Sequence, residues 1–176
     1  MISGGRGIYA DDGSGAVVVS YNSIISEESG IIALGKDVIV SDQGPNSSIS
    51  AGNNGIYAEA GDSIAITVAG SIATDGDFGS GIRAVTQGTV DIAAADVLVS
   101  GPGAEPAVRP DGYRVDQGGI VVDGGAGAIA IDAGTVNVEG EYRYGITARG
   151  TGNISIAADT VNLASADSVA VVARGG

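Results

Sequence analysis

The chain has 176 residues, of which 31 are glycine and only 4% are aromatic, and its net charge is −13. This acidity disfavours binding to nucleic-acid phosphates and to anionic membrane surfaces, and the absence of any run of about 18 apolar residues predicts no membrane-spanning helix. With no cysteine and no histidine, the chain has no disulfide, no thiol chemistry and no histidine to serve as a general base or metal ligand.

A short motif, Gly-Ile-x-Ala, opens each of a series of repeats. The motif and its variants stand at Gly7–Ala10, Gly30–Ala33, Gly55–Ala58, Gly81–Ala84, Gly119–Val122, Gly145–Ala148 and Ala170–Ala173. By subtraction, successive copies begin 23, 25, 26, 38, 26 and 25 residues apart. The spacing of 38 indicates a normal repeat that carries an insertion.

Each repeat continues with a glycine-bearing turn, a strand of alternating apolar residues and a short third strand. The predicted inward pairs of the second strand are Val17/Val19, Val38/Val40, Ile64/Ile66, Val90/Ile92, Ile129/Ile131 and Ile154/Ile156. The third strands centre on Ile24, Ile49, Ile72, Val97, Val136 and Val161. Alternation of this kind is typical of a strand with one buried face.

Three strands per repeat predict an all-β fold, a right-handed parallel β-helix (solenoid) of about seven coils of three short strands each. Residues 1–176 would form a single domain. Equivalent residues of successive repeats would stack in columns, such as Ile8, Ile31, Ile56, Ile82, Ile120, Ile146 and Val171. A β-sandwich fits less well because the Asp-Gly dipeptides do not separate paired strands, and a propeller blade needs four strands.

The insertion, Gly101–Gly118, is predicted to be a long surface loop that carries three of the four prolines. Stacking would place it beside the loop Glu139–Tyr144 of the next coil. Tyrosine and arginine are common binding anchors, and insertions in solenoids often bind ligands. The candidate ligand-binding residues are Arg109, Tyr113, Arg114, Tyr142, Arg143 and Tyr144. A surface loop held by local ion pairs is the alternative interpretation.

The sequence offers weaker indications of chemistry. The outward column of the first strand would read Tyr9, Ile32, Tyr57, Arg83, Val121, Thr147 and Val172, without a carboxylate. Asp91 and Asp132 would lie near each other on the second strands, but no third group supports a catalytic pair. Aspartates in turns keep a rod soluble or bind calcium, and we favour the first interpretation. We predict no catalytic residue, no metal site and no cofactor.

Two segments, Gly7–Val19 and Ser80–Ala84, resemble repeats of autotransporter passenger domains, and the resemblance extends over nearly the whole chain. Passengers are surface proteins of Gram-negative bacteria that are secreted by the type V route. The resemblance implies a β-helical stalk outside the cell, anchored to the outer membrane through a C-terminal translocator barrel. No barrel segment and no signal peptide are recognisable, so we expect the chain to be an excised fragment of a longer passenger.

The function predicted on this basis is a non-catalytic stalk or scaffold segment of a cell-surface adhesin. Its partners would be a host-surface or carbohydrate ligand, without nucleic acid and without membrane insertion by this segment. A carbohydrate-active β-helix enzyme, either a polysaccharide lyase or a hydrolase, is the first alternative. A rod that self-assembles end to end is the second.

Overall fold

A computed structural model of the chain describes residues 5–103, 117–141, 143–164 and 168–176. Within these ranges the chain forms twelve strands and no helix. The strands are β1 (Ile8–Tyr21), β2 (Ser23–Ser26), β3 (Ile31–Asp42), β4 (Ser48–Ala51), β5 (Ile56–Thr74), β6 (Ile82–Thr86), β7 (Thr89–Val99), β8 (Gly118–Asp123), β9 (Ile129–Val138), β10 (Tyr144–Gly150), β11 (Ile154–Leu163) and β12 (Val169–Gly175). The described residues therefore contain no helix that could cross a membrane.

Every pair of neighbouring strands is parallel, and each strand pairs with its equivalent one repeat later. The molecule is therefore a parallel β-solenoid, as the repeat predicts. We number its coils from the motif residue that opens each one, so that coil 1 begins at Gly7 and coil 7 at Ala170. The first face of the solenoid contains the Gly-Ile-x-Ala strands, and the second and third faces follow in chain order.

The predicted columns are confirmed on all three faces. On the first face, Ile8 is followed in register by Ile31, Ile56, Ile82, Ile120, Ile146 and Val171. The inward pairs of the second face and the centres of the third face align in the predicted order. With adjacent strands about 4.8 Å apart, the seven strands of the first face extend roughly 29 Å along the axis.

Two details of the prediction need correction. The solenoid has six complete coils, and coil 7 is represented by the single strand β12 on the first face. Several strands, such as β1, β3 and β5, are also longer than three short segments per coil, because the chain there turns corners without leaving the sheet. β5 runs through all three faces, whereas β1 and β3 pass from the first face to the second through irregularities in the register.

Aliphatic side chains fill the interior. Ile31, Ile56, Ile82, Ile120 and Ile146 are completely buried, and the inward residues of the second and third faces pack against them in one cluster. Burying one such side chain stabilises the fold by about 1.5–3 kcal/mol. Because each coil shields the apolar residues of its neighbours, stability depends on contacts between successive coils.

The motif glycine lies where the coil closes on itself. A Cβ atom at Gly55 would overlap Cγ2 of Ile72, on the third face of the same coil, and would lie 2.6 Å from the carbonyl oxygen of Gly81. Gly30 and Gly119 meet the same two kinds of neighbour, a β-branched side chain and the next motif glycine. The motif therefore requires glycine because the first strand passes directly against the third.

Tyr21 ends the second face of coil 1 and is an aromatic residue in this aliphatic interior. Its side chain is buried, and its hydroxyl has no hydrogen-bond partner among the residues that the structure describes. Burial raises the pKa of the Tyr21 hydroxyl, and the negative charge of Asp42 acts in the same direction. The residue is therefore a polar group buried at a cost to stability.

We expect Tyr21→Phe to increase the free energy of unfolding by about 1 kcal/mol, because it removes an unpaired buried hydroxyl. In the native chain this tyrosine ionises more easily when unfolded than when folded. The native chain therefore keeps its full stability below a pH of about 10 and loses part of it as the pH rises further. Urea unfolding at pH 7 to 11 should show a steeper alkaline loss for the native chain than for Tyr21→Phe. Equal alkaline slopes would contradict this assignment.

Candidate functional site

The two loops predicted to carry binding residues lie side by side at their described bases. The amide of Glu139 donates to the carbonyl of Val99 at 2.7 Å, and the amide of Glu141 donates to that of Pro102 at 3.1 Å. On the other side of the loops, the amide of Tyr144 donates to the carbonyl of Gln117 at 2.9 Å. The predicted adjacency is thus confirmed for the bases, whereas four of the six candidates lie outside the described residues. These are Arg109, Tyr113, Arg114 and Tyr142.

Arg143 lies in the interior of this corner and not on its surface. Its side chain is completely buried. Nη2 donates to the carbonyl oxygen of Gly76 at 2.8 Å and, more weakly, to that of Asp77 at 3.4 Å. Gly76 belongs to coil 3 and Arg143 to coil 5, so the arginine side chain reaches past coil 4. Coil 4 is the coil that contains the insertion. The arginine thus ties together two coils that are not neighbours.

The environment of Arg143 is unusual for a charged group. Burial lowers the pKa of its guanidinium, and the nearby carboxylate of Asp77 opposes this shift. Within the described ranges, Nε and Nη1 have no hydrogen-bond partner, and neither does the buried Oε1 of the adjoining Gln117. The amide of Arg143 is held by Oγ of Ser168 at 3.3 Å, in the next coil. The buried guanidinium is therefore better placed to stabilise this corner than to bind an external ligand.

The last candidate, Tyr144, opens β10 and is half-buried. It pairs in register with Gly118 of β8 and Val169 of β12. Its backbone therefore belongs to the ladder of the first face, beside the base of the insertion.

The outward side of the first face divides into two regions. In coils 1 to 3, the hydroxyl of Tyr9 donates to Oδ2 of Asp11 at 3.2 Å, and that of Tyr57 donates to Oε2 of Glu59 at 2.8 Å. The carboxylate of Asp11 raises the pKa of the Tyr9 hydroxyl. The tyrosine column was predicted without these carboxylate partners, although Tyr9-Ala10-Asp11 and Tyr57-Ala58-Glu59 are visible in the sequence.

In coils 4 to 6 the same side carries an ion cluster. Nη2 of Arg83 lies 3.4 Å from Oδ2 of Asp123, and Nη1 of Arg149 lies 3.9 Å from Oδ1 of the same carboxylate. Val121 and Thr147 point outward by register here, yet both are completely buried. These coils are therefore shielded from solvent on this side, in contrast to Tyr9, which is 54% exposed.

Other carboxylates do not converge. Asp91 and Asp132 lie on adjacent strands. As predicted, Asp132 is offset from the position opposite Asp91 by one outward position, that is, by two residues along the strand. Both are exposed. Among the described residues, no group of three or more acidic side chains is arranged to hold a metal ion.

Comparison of the chain with models of protein families, with curated proteins and with solved structures gives no match. The interpretation of function therefore depends on the geometry described above.

Arg143 can be tested by truncation. We expect Arg143→Ala to lower the free energy of unfolding by about 3 kcal/mol, because it leaves a cavity and an unpaired carbonyl at Gly76. Arg143→Met should remain within about 1 kcal/mol of the native chain. It also leaves the Gly76 carbonyl unpaired, but it fills the space and removes a poorly paired buried charge. Urea unfolding of both variants measures the difference. If methionine is as damaging as alanine, the hydrogen bonds and not the packing of Arg143 hold the corner.

Proposed function

We propose that this chain is a non-catalytic scaffold segment, part of the stalk of an adhesin on the surface of a Gram-negative bacterium. The observation that carries the proposal is the uninterrupted register of Ile8 with its equivalents through coil 7, which makes the solenoid one continuous rod. A rod of this kind holds whatever it carries at a fixed distance from its anchor.

The fold also suits type V secretion, the route used by the passenger domains that the sequence resembles. A passenger crosses the outer membrane unfolded, so it must fold outside the cell without help. In a solenoid each coil contacts only its neighbours, and folding can therefore propagate coil by coil as the chain emerges. The absence of cysteine removes any disulfide that could form before export.

Self-assembly is a second candidate function, because two apolar side chains of β12 are exposed. Val169 and Val171 are 46% and 45% exposed, whereas Ile146, one coil earlier in the same column as Val171, is completely buried. A coil of a second copy could cover these valines by continuing the parallel ladder. Sedimentation at increasing concentration distinguishes a rod that grows from one that does not.

The stalk proposal predicts successful export. The chain is placed between a signal peptide and a type V translocator barrel in a Gram-negative host. We expect it to appear on the cell surface as a fragment that resists externally added protease, because a stacked solenoid exposes few extended segments. Ile56→Asp, which places a charge in the completely buried column, is the matched control and should be exported but degraded.

Two results would contradict the stalk proposal. The first is a native chain that stays in the periplasm or is digested as readily as Ile56→Asp. The second is catalysis: incubation of the purified chain with neutral and acidic polysaccharides should leave their lengths unchanged, and shortened products would favour a lyase or hydrolase.

A further inference from the structure

The outward side of the first face in coils 1 to 3 has a composition that the scaffold role does not require. We call it the tyrosine face. It consists of two adjacent columns, Tyr9, Ile32 and Tyr57 in one and Asp11, Leu34 and Glu59 in the other. Coils 1 and 3 thus repeat the same pair, a tyrosine and a carboxylate, and coil 2 places two aliphatic side chains between them.

The hydrogen bonds fix the direction of both tyrosine rings. Each hydroxyl donates to the carboxylate two residues further along its own strand. Each ring therefore leans along the strand, towards the second column. Tyr9 is 54% exposed and Tyr57 is half-buried, so both rings are accessible from solvent.

The spacing of the two tyrosines follows from the ladder. Tyr9 and Tyr57 are two strands apart in one column, which separates their backbones by about 9.6 Å. Two pyranose rings in an extended polysaccharide cover a similar length. A sugar chain that lies along the solenoid axis can therefore place alternate rings on the two tyrosines, with Ile32 beneath the ring between them.

A shallow groove runs beside the tyrosines. Its lining includes Leu34 and Gly35 of coil 2 and the acidic residues Asp11 of coil 1 and Glu59 of coil 3. A carboxylate has acceptor sites for about four hydrogen bonds, so a carboxylate that accepts one tyrosine hydroxyl can still accept from a sugar hydroxyl. The tyrosine face thus offers apolar platforms and hydrogen-bond acceptors in alternation.

The charge of the tyrosine face selects among sugars. Asp11 and Glu59 are acidic, and each nearby cation is paired with a carboxylate of its own. Lys36 lies 3.3 Å from Asp62, Arg6 lies 3.0 Å from Glu28, and Arg83, which follows Tyr57 in its column, lies 3.4 Å from Asp123. Negative potential over this surface repels uronic acids, sialic acids and sulfated sugars. A neutral chain, with hydroxyl donors and apolar ring faces, is the complementary ligand.

We propose that the tyrosine face binds a neutral, extended polysaccharide along the solenoid axis, in which sugar rings stack on Tyr9 and Tyr57 and sugar hydroxyls donate hydrogen bonds to Asp11 and Glu59. This binding goes beyond the scaffold role and is independent of secretion. Binding without cleavage also agrees with a face on which the carboxylates are engaged by tyrosine hydroxyls.

The test is calorimetric titration of the purified chain with cellohexaose and with hexa-N-acetylchitohexaose, which are neutral, and with hexagalacturonate, which is anionic. We expect binding of at least one neutral hexasaccharide and none of the anionic one. The double variant Tyr9→Ala/Tyr57→Ala should weaken neutral binding by about tenfold or more, because both ring platforms are lost. Disaccharides, which are too short to stack on both tyrosines at once, should bind more weakly than hexasaccharides.

Phe78→Ala is the matched control. Phe78 is an exposed aromatic residue, at 61%, in the segment between β5 and β6, and it does not belong to the tyrosine face. The Phe78→Ala variant should bind the neutral hexasaccharides as the native chain does. Circular dichroism should show that all variants keep the β-solenoid.

Three outcomes would overturn the proposal. The first is that the native chain binds neither neutral hexasaccharide. The second is that the double variant binds them as well as the native chain does. The third is that the native chain prefers hexalysine, a basic peptide titrated in the same way. In the last case, binding that needs Asp11 and Glu59 but not the tyrosines would assign the face to a basic peptide. None of these outcomes affects the export experiment, so the two proposals fail separately.

Discussion

The structure depends on one close contact, made once in every complete coil, between the motif glycine and a β-branched side chain of the third face. Where Gly55 meets Ile72, no space remains for a Cβ atom, and the carbonyl of Gly81 closes the other side. This contact fixes where the coil ends and the next begins. The register of all three faces then follows, because each strand must continue the ladder of the coil before it.

Because the register is fixed, the inward and outward positions of each strand are under different sequence constraints. Inward positions are restricted to residues such as Ile56 and Ala58, which are completely buried and must fit the column. Outward positions are free of this constraint and can differ from coil to coil. The first face uses this freedom for a tyrosine face in coils 1 to 3 and for the cluster around Asp123 in coils 4 to 6. The rod is therefore uniform inside and differentiated outside.

The sequence alone predicts the parts of the fold that repeat, since seven imperfect copies of one pattern place residues such as Ile8 and Ile31 in the same column. It does not predict what depends on several coils at once. The burial of Arg143 requires a carbonyl of coil 3 to meet a side chain of coil 5, past an insertion that obeys no repeat. The burial of Val121, on an outward position, has the same character. The prediction of short strands was wrong because corners such as those within β5 need no break in the ladder.

The stability of two glycine variants tests the central contact most directly. Gly55→Ala adds a methyl group against Ile72 and the Gly81 carbonyl, whereas Gly13→Ala adds the same group where no atom lies within 4 Å. Urea unfolding should show a loss of about 2–3 kcal/mol for Gly55→Ala and a change within about 0.5 kcal/mol for Gly13→Ala. Equal stability of the two variants would show that the coils close without the contact and would contradict this account of the solenoid.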